Sequence, residues 1–208
     1  MSILIADDHP IFRDGLRHAV GEMLEGEEVF EAGDMASVRN RLNEIDELSL
    51  LVLDLYFPGF DVARDFKELR HQLRFTPILV ISMTYRQDEI NAVMDAGANG
   101  FVSKSVKPGV IKEAIRCVLN GERVVRLASG MIGPAAQAET DPEFLGKLPN
   151  RQLQVLKLIA KGKSNKEIAA VLEISPNTVR IHVSSLFESL GVTSRSAAAA
   201  IAAARGLG

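Results

Sequence analysis

The chain has 208 residues, 47% of them hydrophobic and 25% charged, with a net charge of −3. This is the composition of an ordinary globular protein with room for one large domain or two small ones. No apolar run approaches the roughly 20 residues of a membrane-crossing helix, and the start, MSILIADDHP, lacks the basic region of a signal peptide. Its one cysteine, Cys117, excludes an internal disulfide. We therefore expect a cytoplasmic protein without a membrane partner.

The charges are divided unevenly along the chain. Residues 1–120 carry 13 Lys and Arg against 20 Asp and Glu, whereas residues 121–208 carry 11 against 7. An acidic first part and a basic second part indicate two units with different partners. The basic part suits a polyanion.

The first 120 residues alternate short apolar runs with segments of helical spacing. Helical spacing is clear over 10–24, 34–46 and 108–119, and the apolar runs are SILIA (2–6), EVFEA (28–32), LLVLDL (50–55), PILVIS (77–82) and GFVS (100–103). Short runs rich in Ile, Val and Leu are typical of parallel strands buried on both faces. Five such β–α units predict an α/β fold, a flavodoxin-like doubly wound five-stranded parallel sheet.

The pattern changes after residue 121. Residues 122–146 contain many small residues, Gly and Pro without any period. Such a stretch predicts an interdomain linker between a first domain, 1–121, and a second domain, 147–208.

From Leu148 onward the spacing is helical only, over 150–161, 165–172, 176–190 and 194–204. Ser164 and Glu167 have the spacing of a capping box, and Ser175 precedes a Pro at the next helix start. Four short helices, the second and third joined by a tight turn, predict a small all-α helix-turn-helix domain.

Five polar side chains stand at the carboxyl ends of the predicted strands, which share one edge of a parallel sheet. They are Asp7 and Asp8 after the first strand, Asp54 and Ser82 ending the third and fourth, and Lys104 after the fifth. Carboxylates this close repel one another, and a hard divalent cation such as Mg²⁺ relieves the repulsion. A carboxylate beside Mg²⁺ can attack phosphorus and form an acyl phosphate. Lys104 would neutralise the transferred group and Ser82 would donate a hydrogen bond to it.

The motifs around these side chains resemble a known family. Asp54 within LLVLDLYFPG, Ser82 within ILVISM and Lys104 within GFVSKS are similar to the receiver domain of bacterial response regulators. The run ADDHPIFRDGL, residues 6–16, resembles the NarL/FixJ branch of that family.

The resemblance implies a role for each matching position. A sensor histidine kinase would phosphorylate Asp54, with Lys104 and Ser82 assisting the transfer. Ser82 and Phe101 would form a switch pair, in which Phe101 turns inward when Ser82 moves toward the phosphoryl group. Mg²⁺ would be held by Asp7, Asp8, Asp54 and the backbone carbonyl of Tyr56.

Two positions depart from the family pattern. Met83 stands where a small residue is usual, and Phe57 replaces the usual Met before Pro58 and Gly59. The long thioether of Met83 would narrow access to Asp54. Both departures bear on the rate of phosphorylation more than on its occurrence.

The helix over 176–190, PNTVRIHVSSLFESL, is expected to read DNA. A core-facing stripe is formed by Val179, Val183, Leu186 and Leu190. Because a recognition helix enters the major groove, side chains away from the stripe are candidates for base and phosphate contacts: Asn177, Thr178, Arg180, Ile181, His182, Ser184 and Ser185. The start of the preceding helix also favours phosphate and adds Lys163, Asn165 and Lys166.

The runs GKSNKEIA (162–169), ISPNTVRIHV (174–183) and LGVTSRSAAA (190–199) resemble the LuxR-type helix-turn-helix. Ser184 and Ser189 stand where lysines are common in that family, and Glu188 adds a negative charge. We therefore expect fewer phosphate contacts and a shallow dependence of DNA affinity on salt.

Together the two halves predict a transcriptional response regulator in which phosphorylation of Asp54 controls DNA binding. We expect no enzymatic activity beyond self-catalysed phosphoryl transfer and hydrolysis at Asp54. The expected partners are a sensor histidine kinase, double-stranded DNA, a second copy in a homodimer, and RNA polymerase.

Three other functions compete with this interpretation. An aspartyl-phosphate hydrolase would carry a second aspartate at the position of Tyr56. A ligand-sensing transcription factor would have no need of the polar set at the strand ends. A phosphorylation-independent DNA-binding regulator with a vestigial receiver stays open because of Met83.

Overall fold

The computed structural model describes residues 2–24, 26–84, 86–128 and 148–207. They form two compact units: of the described residues, those up to 119 and 124–128 belong to the first, and 120–123 and 148–207 belong to the second. Residues 129–146 of the predicted linker lie outside the described ranges. Within those ranges, no helix combines the length and apolarity needed to cross a bilayer.

The first unit alternates strands and helices as the sequence pattern predicts. In chain order its elements are β1 Ser2–Ala6, α1 Pro10–Met23, β2 Glu28–Ala32, α2 Met35–Glu44, β3 Leu48–Asp54, α3 Val62–Gln72, β4 Ile78–Ser82, α4 Gln87–Asp95, β5 Gly100–Ser103, α5 Pro108–Leu119 and β6 Val124–Arg126. Asp34 caps α2 by accepting the backbone N–H of Ser37, and Pro108 opens α5. Both residues stand at a helix start, which is the favoured position of these residue types.

All neighbouring strands are parallel, in the order β2-β1-β3-β4-β5-β6. Successive side chains of a strand point to opposite faces, so the sheet carries two cores. One face packs on α2, α3 and α4, where Met35, Phe66 and Ile90 are buried. The other packs on α1 and α5, where Leu16 and Ile115 are buried. Apolar residues on both faces explain why the strands read as continuous hydrophobic runs.

The prediction of five strands is wrong by one. Val124–Arg126 forms a sixth strand, parallel to β5, with Gly100 opposite Val124. These residues also fall inside the predicted linker, whose start at residue 122 is therefore too early. Three residues are too few to show a strand period, although the pair Val124-Val125 is β-branched and Val124 is buried.

Over residues 148–207 the second unit contains four helices: α6 Asn150–Ala160, α7 Asn165–Leu172, α8 Pro176–Leu190 and α9 Arg195–Ala204. The predicted capping box of Ser164 and Glu167 is present at the start of α7, and Ser175 caps α8. The turn between α7 and α8 passes through Glu173 in a left-handed conformation, with φ 54°. This turn brings the second and third helices into the helix-turn-helix arrangement.

Helix α6 packs on α8 and α9, and α7 packs on α8. The predicted stripe of α8 faces this core, since all four of its residues are buried. Phe187 joins the stripe and fills the space between the helices. The opposite side of α8 carries the polar residues considered for DNA binding.

Candidate functional site

The carboxyl edge of the sheet brings three of the predicted side chains into direct contact. Lys104 Nζ lies 2.8 Å from Asp7 Oδ2 and 2.6 Å from Asp54 Oδ2. The side chains of Lys104, Asp7 and Asp54 are 6%, 2% and 4% exposed. One lysine thus bridges two buried carboxylates from different strands.

Backbone contacts fix this arrangement. The N–H of Lys104 donates to the carbonyl of Ser82 at 2.8 Å, which ties the end of β5 to the end of β4. The N–H of Tyr56 donates to Asp54 Oδ1 at 3.2 Å. The guanidinium of Arg13 donates to the Asp7 carbonyl at 2.7 Å. The pocket is therefore built on strand ends, and each of these three contacts involves at least one main-chain group.

Burial raises the pKa of the Asp54 carboxyl, while the hydrogen bond and charge of Lys104 act in the opposite direction. The nearby Asp7 carboxylate adds to the increase. The lysine therefore does not fully compensate the negative charge at this edge of the sheet. A further positive charge in the pocket would favour the ionised form of Asp54.

Ligand atoms of Asp7, Asp8, His9 and Asp54 all lie within 4.8 Å of one another. Three of these groups are carboxylates, the hard oxygen ligands that Mg²⁺ prefers. The donor set and the uncompensated charge on Asp54 both fit a divalent cation. His9 Nδ1 also lies 2.6 Å from Asp8 Oδ1, a contact that sequence reasoning did not anticipate.

Two apolar side chains flank Lys104. Its ammonium lies 4.9 Å from the ring centroid of Phe12 on α1, within the range of a cation–π contact. Met83 is 59% exposed and, with Lys104 and Phe12, lines an apolar cavity of about 530 Å³ beside the pocket. Met83 therefore stands at the approach to the polar cluster, as its sequence position predicts.

A second polar contact joins the two loops that border Asp54. The hydroxyl of Tyr56 and the hydroxyl of Thr84 each donate to Glu89 Oε2 at 2.6 Å. Hydrogen bonding to Glu89 raises the pKa of Tyr56, and the hydrogen bonds of Thr84 and Tyr56 lower the pKa of Glu89. Neither Thr84 nor Glu89 was predicted from the sequence, because no spacing rule relates the first turn of α4 to the end of β3.

Phe101, the predicted switch residue, lies in the interior of the first unit. Its ring is fully buried in the core beneath α2, α3 and α4. An inward turn from the surface is therefore not available to it in this conformation. A phenyl ring carries no polar group that would be satisfied by water, so burial is its favoured position. Ser82, the other half of the predicted pair, is also buried, and its Oγ accepts the N–H of Thr84 at 3.3 Å.

On α8 the candidate DNA contacts differ in accessibility. Asn177, Thr178, Ile181, His182, Ser184 and Ser185 are half-buried, whereas Arg180 is only 9% exposed. Ser185 Oγ accepts a hydrogen bond from Gln152 Nε2 at 2.9 Å. A base contact by Arg180 therefore requires its guanidinium to be more accessible than it is here. Burial lowers the pKa of His182, and the Arg151 charge adds to the effect, so both favour the neutral imidazole.

At the start of α7 the three candidates also separate. Lys166 is exposed, and Lys163 Nζ pairs with Glu167 Oε1 at 2.9 Å. Asn165 is buried, and its Oδ1 accepts a hydrogen bond from Arg195 at 3.1 Å. Arg195 also donates to the Lys163 carbonyl, so it joins α9 to the start of α7. Sequence reasoning missed Arg195, whose position in α9 resembles an ordinary surface charge.

Both units match known families over the expected ranges. Residues 3–116 match the family described as response regulator receiver domain, and residues 147–202 match bacterial regulatory proteins, luxR family. The nitrate/nitrite response regulator protein NarP of Escherichia coli (strain K12) is 36% identical over 200 residues, which cover 94% of this chain and 91% of NarP.

Solved structures show the same likeness. One is the isolated REC domain of RcsB from Salmonella enterica serovar Typhimurium in the presence of the phosphomimetic BeF3−. Its TM-score is 0.55 at 29% identity, and the match covers 60% of this chain and 92% of the RcsB chain. A structure of two RcsB dimers bound to two parallel DNAs has a TM-score of 0.56 at 26% identity and covers 98% of both chains. The chain therefore belongs to the NarL/FixJ family of two-component response regulators, with a receiver domain followed by a LuxR-type DNA-binding domain.

Proposed function

We propose that Asp54 is the phosphoacceptor of this response regulator and that its phosphorylation controls DNA binding by the second unit. The observation that carries the proposal is the contact of Lys104 with Asp54 and Asp7 in a buried pocket at the carboxyl edge of the sheet. Lys104 places a positive charge where the oxygens of a transferred phosphoryl group would lie. The Asp54 carboxylate is the nucleophile, and its raised pKa reflects the burial that a cation would offset.

Asp7, Asp8 and Asp54, with the backbone carbonyl of Tyr56, would hold Mg²⁺. When bound, the ion supplies positive charge that neutralises the carboxylates and the phosphoryl oxygens. The other roles fall to side chains and backbone groups of the chain. Lys104 would orient the phosphoryl group, and the N–H of Tyr56 holds Asp54 Oδ1 in place. No general base is needed for the transfer, because an ionised carboxylate is already the nucleophile. The protein therefore takes part in phosphoryl transfer and hydrolysis only at its own Asp54.

The phosphodonor partner is a sensor histidine kinase, which the family membership of the receiver supports. The switch would use Ser82, whose hydroxyl can leave the Thr84 N–H and bind the phosphoryl group. Phe101, already in the core, would take part by repacking rather than by entering from outside.

The DNA-binding partner is supported by the match to the luxR family and by the accessible positions on α7 and α8. Lys166 and Thr178 are the best placed for phosphate contacts, because Lys166 is exposed and Thr178 lies at the start of α8. A homodimer on DNA is supported by the likeness to RcsB, which binds DNA as dimers. Two copies would then read two half-sites about one helical turn apart.

Intact-mass measurement after incubation with Mg²⁺ and acetyl phosphate tests the phosphoacceptor. The wild type is expected to gain one phosphoryl group, and Asp54→Ala is expected to gain none. Thr76→Ala, on the loop before β4, is a matched control that should be modified like the wild type.

The measurement also separates the alternative of a vestigial receiver, which the exposed Met83 beside the pocket keeps open. That alternative predicts no adduct in the wild type and DNA binding that is equal with and without the donor. An adduct that persists in Asp54→Ala would place the acceptor elsewhere and overturn the proposal.

A further inference from the structure

Glu89 lies in the first turn of α4 and accepts two short hydrogen bonds through a single oxygen. The phenol of Tyr56, after β3, and the hydroxyl of Thr84, after β4, both meet Oε2 at 2.6 Å. The Glu89 side chain is 24% exposed. Hydrogen bonds to an ionised acceptor are shorter and stronger than neutral ones, so this carboxylate binds the two loops to α4.

The two residues that Glu89 binds have their main chains inside the phosphorylation site. The N–H of Tyr56 donates to Asp54 Oδ1, and the N–H of Thr84 donates to Ser82 Oγ. Each residue therefore contacts the site with its backbone and Glu89 with its side chain. As a result, the position of Ser82 is connected to α4 through two hydrogen bonds in series.

We propose that Glu89 is a positioning residue that stabilises the unphosphorylated arrangement of Ser82 and Thr84. This inference rests on the proposed function, because it concerns the movement of Ser82 toward a phosphoryl group on Asp54. When the Ser82 hydroxyl turns to that group, the Thr84 N–H loses its acceptor and the backbone at 82–84 shifts. Glu89 opposes the shift as long as it holds the Thr84 hydroxyl.

The charges around Glu89 support this role. Arg86 Nη1 lies 3.5 Å from Glu89 Oε1, and Oε1 is not the oxygen that binds Tyr56 and Thr84. The guanidinium also pairs with Asp88 at 2.6 Å. Arg86 thus favours the ionised form of Glu89 without taking its hydrogen-bonding oxygen, and Oε2 remains available to both hydroxyls.

Binding of BeF3− with Mg²⁺ to the full chain measures the switch without a kinase or DNA. Removing Glu89 destabilises the unphosphorylated arrangement, so Glu89→Ala should bind BeF3− about fivefold more tightly, the size expected for a partly exposed charged hydrogen bond. Fluorine NMR of the bound BeF3− gives the affinity. Asp88→Ala is the matched control, since it removes the same charge from the same helical turn and should leave the affinity unchanged.

A double-mutant cycle separates positioning from a general structural effect. Thr84→Val should also tighten BeF3− binding, and Glu89→Ala combined with Thr84→Val should add little to either single change. Tyrosine fluorescence provides an independent readout because the chain has no Trp and two Tyr. The Glu89 carboxylate is expected to quench the fluorescence of Tyr56, so Glu89→Ala should be more fluorescent than wild type. This increase in fluorescence should be absent when Glu89→Ala is combined with Tyr56→Phe.

Three outcomes are distinguishable. Wild type that fails to bind BeF3− in the presence of Mg²⁺ would overturn the proposed function itself. Wild type that binds while Glu89→Ala binds with unchanged or weaker affinity would overturn the role of Glu89 alone. Fully additive effects of Glu89→Ala and Thr84→Val would show that the two side chains act separately. That result would also overturn the claim that Glu89 acts on Ser82 through Thr84.

Discussion

Arg70 shows how one side chain can join distant parts of the receiver. Its guanidinium donates to the carbonyls of Leu73, Thr76 and Gly97 and to Asn99 Oδ1. Its stem passes over Gly97, which has φ 106° and where an added Cβ would lie 2.8 Å from the Arg70 side chain. Burial lowers the pKa of Arg70. The group therefore links the end of α3 to the loop before β4 and to the loop between α4 and β5.

Replacing Arg70 with Lys should destabilise the receiver by about 2–3 kcal/mol. The planar guanidinium donates to several acceptors at once, whereas the ammonium of a lysine cannot reach them all, so buried carbonyls would lose their hydrogen bonds. Urea unfolding of the full chain measures the loss in the free energy of unfolding. Arg74, which is exposed just beyond the end of α3, is the control, and Arg74→Lys should change stability by less than about 0.5 kcal/mol. Equal effects of the two substitutions would contradict a bridging role for Arg70.

At the proposed phosphorylation site, Met83→Ala should raise the rate of phosphorylation or of dephosphorylation of Asp54. The thioether stands at the approach to Lys104, and its removal opens that route to a small phosphodonor or to water. Rates with acetyl phosphate, followed by intact mass, give the comparison. Ile11→Ala, which shortens an exposed side chain on the same cavity, is the control. Rates for Met83→Ala equal to wild type would refute the idea that Met83 limits access.

At the level of elements, the stability of the N-terminus of α7 depends on the ionisation of Glu167. The Glu167 carboxylate accepts from Lys163, from the Ser164 N–H and from the Ser164 hydroxyl, and these bonds lower its pKa from 4.5 to about 2. Because the folded-state pKa lies below the unfolded one, the stabilisation is complete above about pH 4.5 and is lost as the pH falls toward 2. The N-terminus of the helix should therefore weaken in acid.

Glu167→Gln should abolish the part of the acid sensitivity that comes from this cap. The variant should be less stable than wild type at pH 7, and the difference should shrink as the pH falls from about 4.5 to 2. Thermal unfolding followed by circular dichroism at 222 nm over this range is the measurement. Glu188→Gln, an exposed carboxylate on α8, should leave the pH profile of the wild type intact. A constant difference between Glu167→Gln and wild type at every pH would show that ionisation is not involved.

The elements that the sequence predicts well are those with strong local signals. Caps at Asp34, Ser164 and Ser175 have residue-specific chemistry, and the buried strands are uninterrupted apolar runs, so both were predictable. The strand-end rule likewise predicted that Asp7, Asp54 and Lys104 would meet. These features depend on short segments of chain and on the general geometry of parallel sheets.

Features that depend on contacts between distant segments were missed. β6 is too short for a period and becomes a strand only because β5 offers it an edge. The burial of Arg180 and Phe101 depends on what surrounds them, and a helical or strand period indicates only which face a residue occupies. Glu89 and Arg195 bind loops whose path cannot be read from residue spacing. The sequence therefore predicts the side chains of the pocket better than the long-range contacts that position them.

For the whole molecule, the distribution of charge bears on DNA binding. Residues 148–208 carry 8 Lys and Arg against 3 Asp and Glu, so the DNA-binding unit is basic whereas the receiver is acidic. Ser184 and Ser189 on α8 are half-buried and uncharged. Few phosphates are then neutralised on binding, and DNA affinity should fall less steeply with salt than in a relative with lysines at these positions.

Adding a lysine tests this expectation. Ser184→Lys should steepen the slope of log K against log salt by about 0.9, the contribution of one neutralised phosphate. Fluorescence anisotropy over a salt series gives the slope, with Ala200→Lys, an exposed position on α9, as the control for net charge. Equal slopes for the two variants would show that the position of α8 on DNA differs from the one proposed.

The sixth strand also determines where the receiver can be cut for separate study. A fragment ending at Leu119 would remove the strand that pairs with Gly100, Phe101 and Val102. The bare edge would expose main-chain donors and acceptors on an apolar strand, which invites pairing between copies and aggregation. A fragment that continues through Leu127 keeps the edge covered, so its oligomeric state would reflect the receiver itself and not the truncation.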